Sequence, residues 1–243
     1  MNKNTIQEFN SRQHMINSDY EIYHYKDIGF YNVSMHHHDF YELYYLISGE
    51  VQYYIDGEIH KVSPGNIVLI DTTKLHQLKI DSKNGSYERI VLWIEKDYLK
   101  SLSSKDTDLT YPFNNEIKQS VIHIQPDLKL EIHTLFEKFL KLKSYNDSGE
   151  DLLSRAYMTE LMVHIYNSIN KKTHHLVYSK SMLIESIVEY ISQNLHAEIT
   201  IDGISGKFFI SKYHLSREFK KYMQITIHKY IKLKRLIKAK ELI

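Results

Sequence analysis

The chain has 243 residues, a net charge of +1, and apolar and charged fractions of 42% and 25%, which exclude a disordered or fibrous protein and allow one or two domains with a real core. It has no cysteine, so disulfides, thiolate metal sites and a cysteine nucleophile are excluded. The residues after Met1, "NKNTIQEFNSRQ", are polar and no apolar run reaches membrane-spanning length, so the expectation is a cytoplasmic protein with no membrane segment.

Residues 20–95 read as strands. "YELYYLIS", "VQYYIDG", "EIHKV", "NIVLID", "HQLKI" and "YERIVLWIE" are short and rich in Tyr, Ile and Val. The turn pairs Ser48-Gly49, Asp56-Gly57, Pro64-Gly65 and Asn84-Gly85 separate them. Short strands at this spacing predict a sandwich or small barrel.

The first of these strands carries "MHHHDFYELYYLISGE". Alternate residues of a strand share a face, which places His36, His38, Phe40, Glu42 and Tyr44 together and turns His37 and Asp39 the other way. Two imidazoles and a carboxylate on one face suit a divalent transition metal, a polar ligand, or a self-satisfied polar cluster. "GEIHKVSPGNIVLI" resembles the second motif of the cupin family only in its Gly, Pro and Gly: where the resemblance implies a further histidine ligand, after Pro64-Gly65, this chain has Val68, Leu69 and Ile70. His76 comes later and can reach inward, but at a spacing that does not match that motif, so no metal and no cofactor is assigned.

Helical spacing follows. Leu128, Ile132, Leu135, Phe136, Phe139 and Leu142 form one apolar stripe, and Leu153, Tyr157, Leu161, Ile165 and Ile169 a second, with "KSYNDSGED" as the break between them. Such helices cover one end of a barrel or pair with a second copy of the chain. The segment "KKTHHLVYSKS" divides this part from a helix bearing Ile184, Ile187, Val188, Ile191 and Leu195.

The remainder breaks into three helical pieces capped by Thr200, Ser211 and Thr226. Its charge is distinctive. From Thr173 to Ile243 there are twelve Lys and Arg against six Asp and Glu, whereas the residues before carry nineteen against twenty-four. A basic C-terminal third suits a polyanion. Ser205 is small enough to let two helices approach. Ile204, Ile210, Leu215 and Phe219 form their shared core, and the outer face of "SKYHLSREFKKYM" is left to enter a major groove. There Arg217 can donate two hydrogen bonds to a guanine, Tyr213 offers a hydroxyl and a ring, and Ser216 is short and adaptable. Lys212, Lys220 and Lys221 suit phosphates.

The stretch "ITIDGISGKFFISKYHLSREFKKYMQITIHKYIKLKRLIKAKELI" resembles the first helix-turn-helix and the linker helix of AraC/XylS-type transcriptional regulators. Ile204-Ser205, Ser211, Leu215, Ser216-Arg217 and Phe219-Lys220-Lys221 carry the likeness, with Arg235, Leu236, Ala239 and Leu242 in the linker helix. Gln224 replaces a usual glycine, Gly203 and Gly206 lie inside the first helix, and the second helix-turn-helix of the family is not in the sequence, which ends at Ile243. With half the usual phosphate contacts, weak affinity at physiological salt is expected.

The histidine strand, including Gly49, resembles the first cupin motif, and regulators of this type carry a cupin-like barrel that binds an effector without chemistry. The resemblance therefore implies an α+β chain: a cupin-like effector barrel at 1–100, a helical linker or dimerisation segment at 101–172, and a truncated DNA-binding helix-turn-helix unit at 173–243. It implies double-stranded DNA, a small-molecule effector such as a sugar or metabolite, and a second copy of the chain in a homodimer as partners, with no catalytic residues. The candidate effector residues are His36, His38, Glu42, Tyr44, His76 and Trp93. Two other readings stand beside it: a metal-dependent cupin enzyme, and a sensor or scaffold pairing with a full-length regulator.

Overall fold

The computed structural model describes residues 6–7, 12–28, 33–80, 86–114, 117, 119–142, 148–170, 182–240 and 242. The turn at Asn84-Gly85, residues 143–147 of the interhelical break and the whole divider at 171–181 lie outside the described residues.

Nine strands and seven α-helices make an α+β chain among those residues. The strands are β1 (Ile6–Gln7), β2 (Tyr20–Ile28), β3 (Tyr41–Ser48), β4 (Val51–Ile55), β5 (Glu58–Val62), β6 (Ile67–Ile70), β7 (His76–Ile80), β8 (Ser86–Ile94) and β9 (Val121–Ile122). They form a six-stranded sheet of order β1-β2-β8-β3-β6-β9 and a three-stranded sheet of order β5-β4-β7. Strand alternation sorts the side chains into two cores. Tyr44, Leu46, Val68, Ile70, Val91 and Trp93 of the large sheet face Tyr53, Ile55, Leu78 and Ile80 of the small one. The opposite face of the large sheet, with Leu43, Tyr45, Ile67, Leu69, Ile90 and Leu92, packs on helices.

Those helices are α2 (Pro126–Leu142) and α3 (Glu150–Asn170), which follow the short α1 (Lys96–Ser101). Ile132, Leu135, Phe136 and Phe139 of α2 and Leu161, Met162 and Ile165 of α3 are fully enclosed against the sheet. Each such side chain contributes about 1.5–3 kcal/mol by burial. The helices therefore lie along a sheet face instead of closing a barrel end, because the outward stripe of β3, β6 and β8 is apolar and needs a cover.

The C-terminal helices are α4 (Met182–Gln193), α5 (Ile201–Lys207), α6 (Lys212–Met223) and α7 (Ile227–Lys240). The expected caps form: Thr200 Oγ1 accepts from Gly203 N at 3.0 Å, Ser211 Oγ from His214 N at 3.2 Å, and Thr226 Oγ1 from Lys229 N at 3.3 Å. Gln224 adopts the left-handed cap conformation at φ 57°, and its own Nε2 donates to Lys221 O at 2.6 Å, which offsets part of the cost of lacking glycine. Ile187, Ile191, Ile204, Leu215, Phe219 and Tyr230 form the core of this unit. The same core takes in Met35, Tyr54 and Leu75 from the barrel, so the two parts of the chain share apolar contacts.

Candidate ligand cavity and nucleic-acid interface

Between the two sheets lies a cavity of about 70 Å³. His36, Glu42, Tyr44, His76 and Trp93 line it, as their positions in the sequence lead one to expect. His38 does not. It lies behind that wall, beside the groove with His37, Asp39 and Thr72, and its Nε2 sits 3.5 Å from Glu42 Oε2. The sequence pattern missed Tyr25, Tyr53, Tyr87 and Arg89. Stepping back by twos from Trp93 along β8 reaches Val91, Arg89 and Tyr87, which was the available signal.

The backbone brings His76 beside His36 directly: His36 N to His76 O is 3.0 Å and His76 N to His36 O is 2.9 Å. The β4–β7 excursion returns the chain to His36, an isolated bridge residue that precedes β3. Burial lowers the His36 imidazole and holds that of His76 well below the ordinary value, so both are neutral at pH 7.

Each of the three rings is held from behind. His36 Nδ1 donates to Ser34 O at 2.8 Å, His38 Nδ1 to Phe40 O at 2.8 Å and His76 Nδ1 to Lys74 O at 3.1 Å. Glu42 accepts from Trp93 Nε1 at 3.0 Å and from Tyr53 Oη at 3.3 Å. Burial drives the phenols of Tyr44 and Tyr53 well above their usual range, so both act as neutral hydroxyls. Tyr44 Oη and Tyr87 Oη share a hydrogen bond of 2.8 Å. Arg89 is spoken for by Asp27 and lies over the Tyr87 and Tyr25 rings at 4.3 and 4.7 Å. The cavity thus combines aromatic walls with a few convergent polar groups.

At the other end of the chain, Lys212, Tyr213, Ser216, Arg217, Lys220 and Lys221 are all exposed on α6, while Leu215, Phe219 and Met223 bury its inner side. Tyr213 is 76% exposed. Arg217 lies 5.8 Å from the centre of its ring, and its guanidinium also approaches Glu218 at 3.4 Å. Lys212 pairs with Asp202, which ties the start of α6 to α5. Phe209 at the turn between these helices has φ 53° and is 94% exposed.

A ligand-binding barrel joined to a helix-turn-helix unit with a proud basic helix is the class these features define. Residues 19–162 match the family described as AraC-like ligand binding domain, and residues 191–232 match the bacterial regulatory helix-turn-helix proteins of the AraC family. The chain belongs to the AraC family: it is a DNA-binding transcriptional regulator with an N-terminal ligand-binding domain.

Among relatives, it is 24% identical over 217 residues to the HTH-type transcriptional activator RhaR of Mannheimia succiniciproducens, covering 86% of this chain and 72% of that protein. It is also 24% identical over 221 residues to the uncharacterized HTH-type transcriptional regulator YfiF of Bacillus subtilis, covering 88% of this chain and 68% of that one. Among solved structures, ToxT from Vibrio cholerae O395 aligns with a TM-score of 0.40 at 13% identity, over 93% of this chain and 83% of that one. The AraC-like transcriptional activator CuxR aligns with a TM-score of 0.40 at 15% identity, over 83% and 67%. Among the described residues, no helix is long and apolar enough to cross a membrane.

Proposed function

We propose that this regulator reads DNA with α6 and that occupancy of the barrel cavity governs that reading. The observation that carries it is the two-sided build of α6. Its apolar side is locked into the C-terminal core, and all six polar side chains of the candidate interface stand in solvent. A helix so held fits the major groove, where Tyr213, Ser216 and Arg217 face base edges and Lys212, Lys220 and Lys221 neutralise phosphates.

The barrel residues His36, Glu42, Tyr44, His76 and Trp93 receive the effector, with His38 acting from behind the wall. Effector binding shifts the balance between two arrangements of the DNA-binding unit by its differential affinity for them. The setting is the cytoplasm, the working form is a homodimer, and the barrel catalyses nothing. The domain limits are 1–100, 101–172 and 173–243, with β9 a late addition to the large sheet.

Selection of bound duplexes from a random pool by the full chain tests the reading. Enrichment of a defined sequence is expected. Equal retention of all sequences, abolished by moderate salt, would sink it.

A further inference from the structure

Two backbone hydrogen bonds close the turn between α5 and α6. Ile210 N donates to Ser205 O at 3.1 Å and Phe209 N to Gly206 O at 3.4 Å. This nested pair ends a helix when the residue after its cap turns left-handed. Phe209 is that residue, at φ 53°. Glycine is the usual occupant because it has no Cβ to crowd the backbone there, and a bulky side chain at positive φ is strained.

Asp56 and Gln224 are the other non-glycine residues at positive φ among the described residues, and each compensates locally. Asp56 binds Lys234 and accepts from Leu75 N, and Gln224 donates to Lys221 O. The Phe209 side chain has no polar atom to offer, and at 94% exposure burial does not compensate either. Its neighbours do pack. Phe208 meets the Tyr190 ring edge-on at 6.0 Å, and Ile210 joins the C-terminal core. The fold is thus served by the residues on both sides of Phe209. A phenyl ring kept in water on a strained backbone points to a contact outside the chain.

Its place in the unit identifies the contact. The first helix of a helix-turn-helix crosses the sugar–phosphate strand and the second lies in the major groove, so the turn joining them rides on the groove rim. Phe209 lies two residues before the cap Ser211, and the exposed Lys207 and Lys212 flank it in the chain. A DNA strand alternates anionic phosphates with apolar deoxyribose faces, and a phenyl ring between two cations matches that alternation. A protein partner would call for a contiguous apolar patch, whereas Phe208 and Ile210 are taken up by their own core. We propose that Phe209 lays its ring on a deoxyribose at the rim of the groove read by α6, adding affinity without sequence preference. The inference rests on the regulator reading and extends its interface to a side chain with neither charge nor hydrogen-bonding atom.

The test uses the full chain with two duplexes, one selected from a random pool and one of random sequence, over a salt series. Phe209→Gly and Phe209→Asn both suit a left-handed turn, so the two helices keep their arrangement. The thermal midpoint of Phe209→Gly should rise by about 2–4 °C. Affinity of both variants for both duplexes should fall by about 5–10-fold, with the salt slope unchanged because no charge is lost. Phe209→Tyr keeps the ring and should keep the affinity. A residue that serves only the fold does not give a steadier chain with weaker binding. A lower midpoint for Phe209→Gly would overturn the contact by giving the ring a structural role. Unchanged affinity in that variant would overturn it in favour of a protein partner, and a loss confined to the selected duplex in favour of a base edge. A chain that selects DNA and is indifferent to Phe209→Gly defeats this inference alone, and one that retains no duplex defeats the regulator reading together with it.

Discussion

The ammonium of Lys234 on α7 lies 2.8 Å from Asp56 Oδ1 in the β4–β5 turn and 3.1 Å from Thr73 O, joining the helix after the recognition unit to the barrel. Asp56 is held for this role. Its φ is 45°, the following Gly57 has φ 87°, and its Oδ1 also accepts from Leu75 N at 3.2 Å. The contact therefore links the DNA-binding unit to the residue beside His76.

Lys234→Ala should destabilise the chain by about 1–2 kcal/mol, between the value of an exposed pair and the loss of a buried one, because the pair is only partly covered. Urea unfolding checks this. A change below about 0.3 kcal/mol would mean that the apolar contacts of Tyr54 and Leu75 alone hold the two parts together.

Arg217→Ala should relax base preference at a cost of about 1–3 kcal/mol, while Lys220→Ala should weaken all sequences alike and reduce the salt slope by about 1. Affinities for a selected duplex and for random DNA, each measured over a salt series, separate the two. Identical losses on both duplexes for Arg217→Ala would remove it from base reading.

The two glycines of α5 should respond differently to alanine. A Cβ at Gly206 meets nothing within 4 Å, so Gly206→Ala should stabilise by up to about 1 kcal/mol through helix propensity. A Cβ at Gly203 would lie 3.2 Å from the capping Oγ1 of Thr200, so Gly203→Ala should give less or destabilise. Thermal unfolding of both variants checks this, and equal gains would show that the Thr200 cap leaves room for a Cβ at Gly203.

Glu21 gives the barrel an acid-sensitive point. Burial alone would raise its carboxyl, but the Tyr23 hydroxyl, the backbone N–H groups of Asn17 and Ile16, and the Arg12 charge outweigh that and hold it below its ordinary 4.5. A carboxyl lowered on folding contributes stability that is full above about pH 4.5 and lost as pH falls through its folded value. Unfolding free energy measured from pH 6 down to pH 3 should decline, and Glu21→Gln should flatten that decline. An unchanged slope in the variant would assign the acid sensitivity to other groups.

Local order was legible in the chain itself. "YELYYLIS" spans β3 from Tyr41 to Ser48, since period-two alternation and the Ser48-Gly49 turn act within a few residues. Ser211 and Leu215 set α6 for the same reason, because a cap and an apolar stripe at i and i+4 are short-range devices. Alternation within β3 likewise puts Glu42 and Tyr44 on the cavity face, but it misplaces His38, which precedes the strand. The short β1, β9 and α1 were not, for two to six residues carry too little pattern.

What only the tertiary structure decided is which surfaces meet. The thirty-nine residues between His36 and His76 close into a bridge because β4 pairs with both β5 and β7, and no local pattern encodes that return. Helices α2 and α3 settled on the large sheet, and Lys234 found Asp56, for the same cause. Propensity and alternation act over a few bonds, but the partner of a buried face is chosen by the packing of the whole chain.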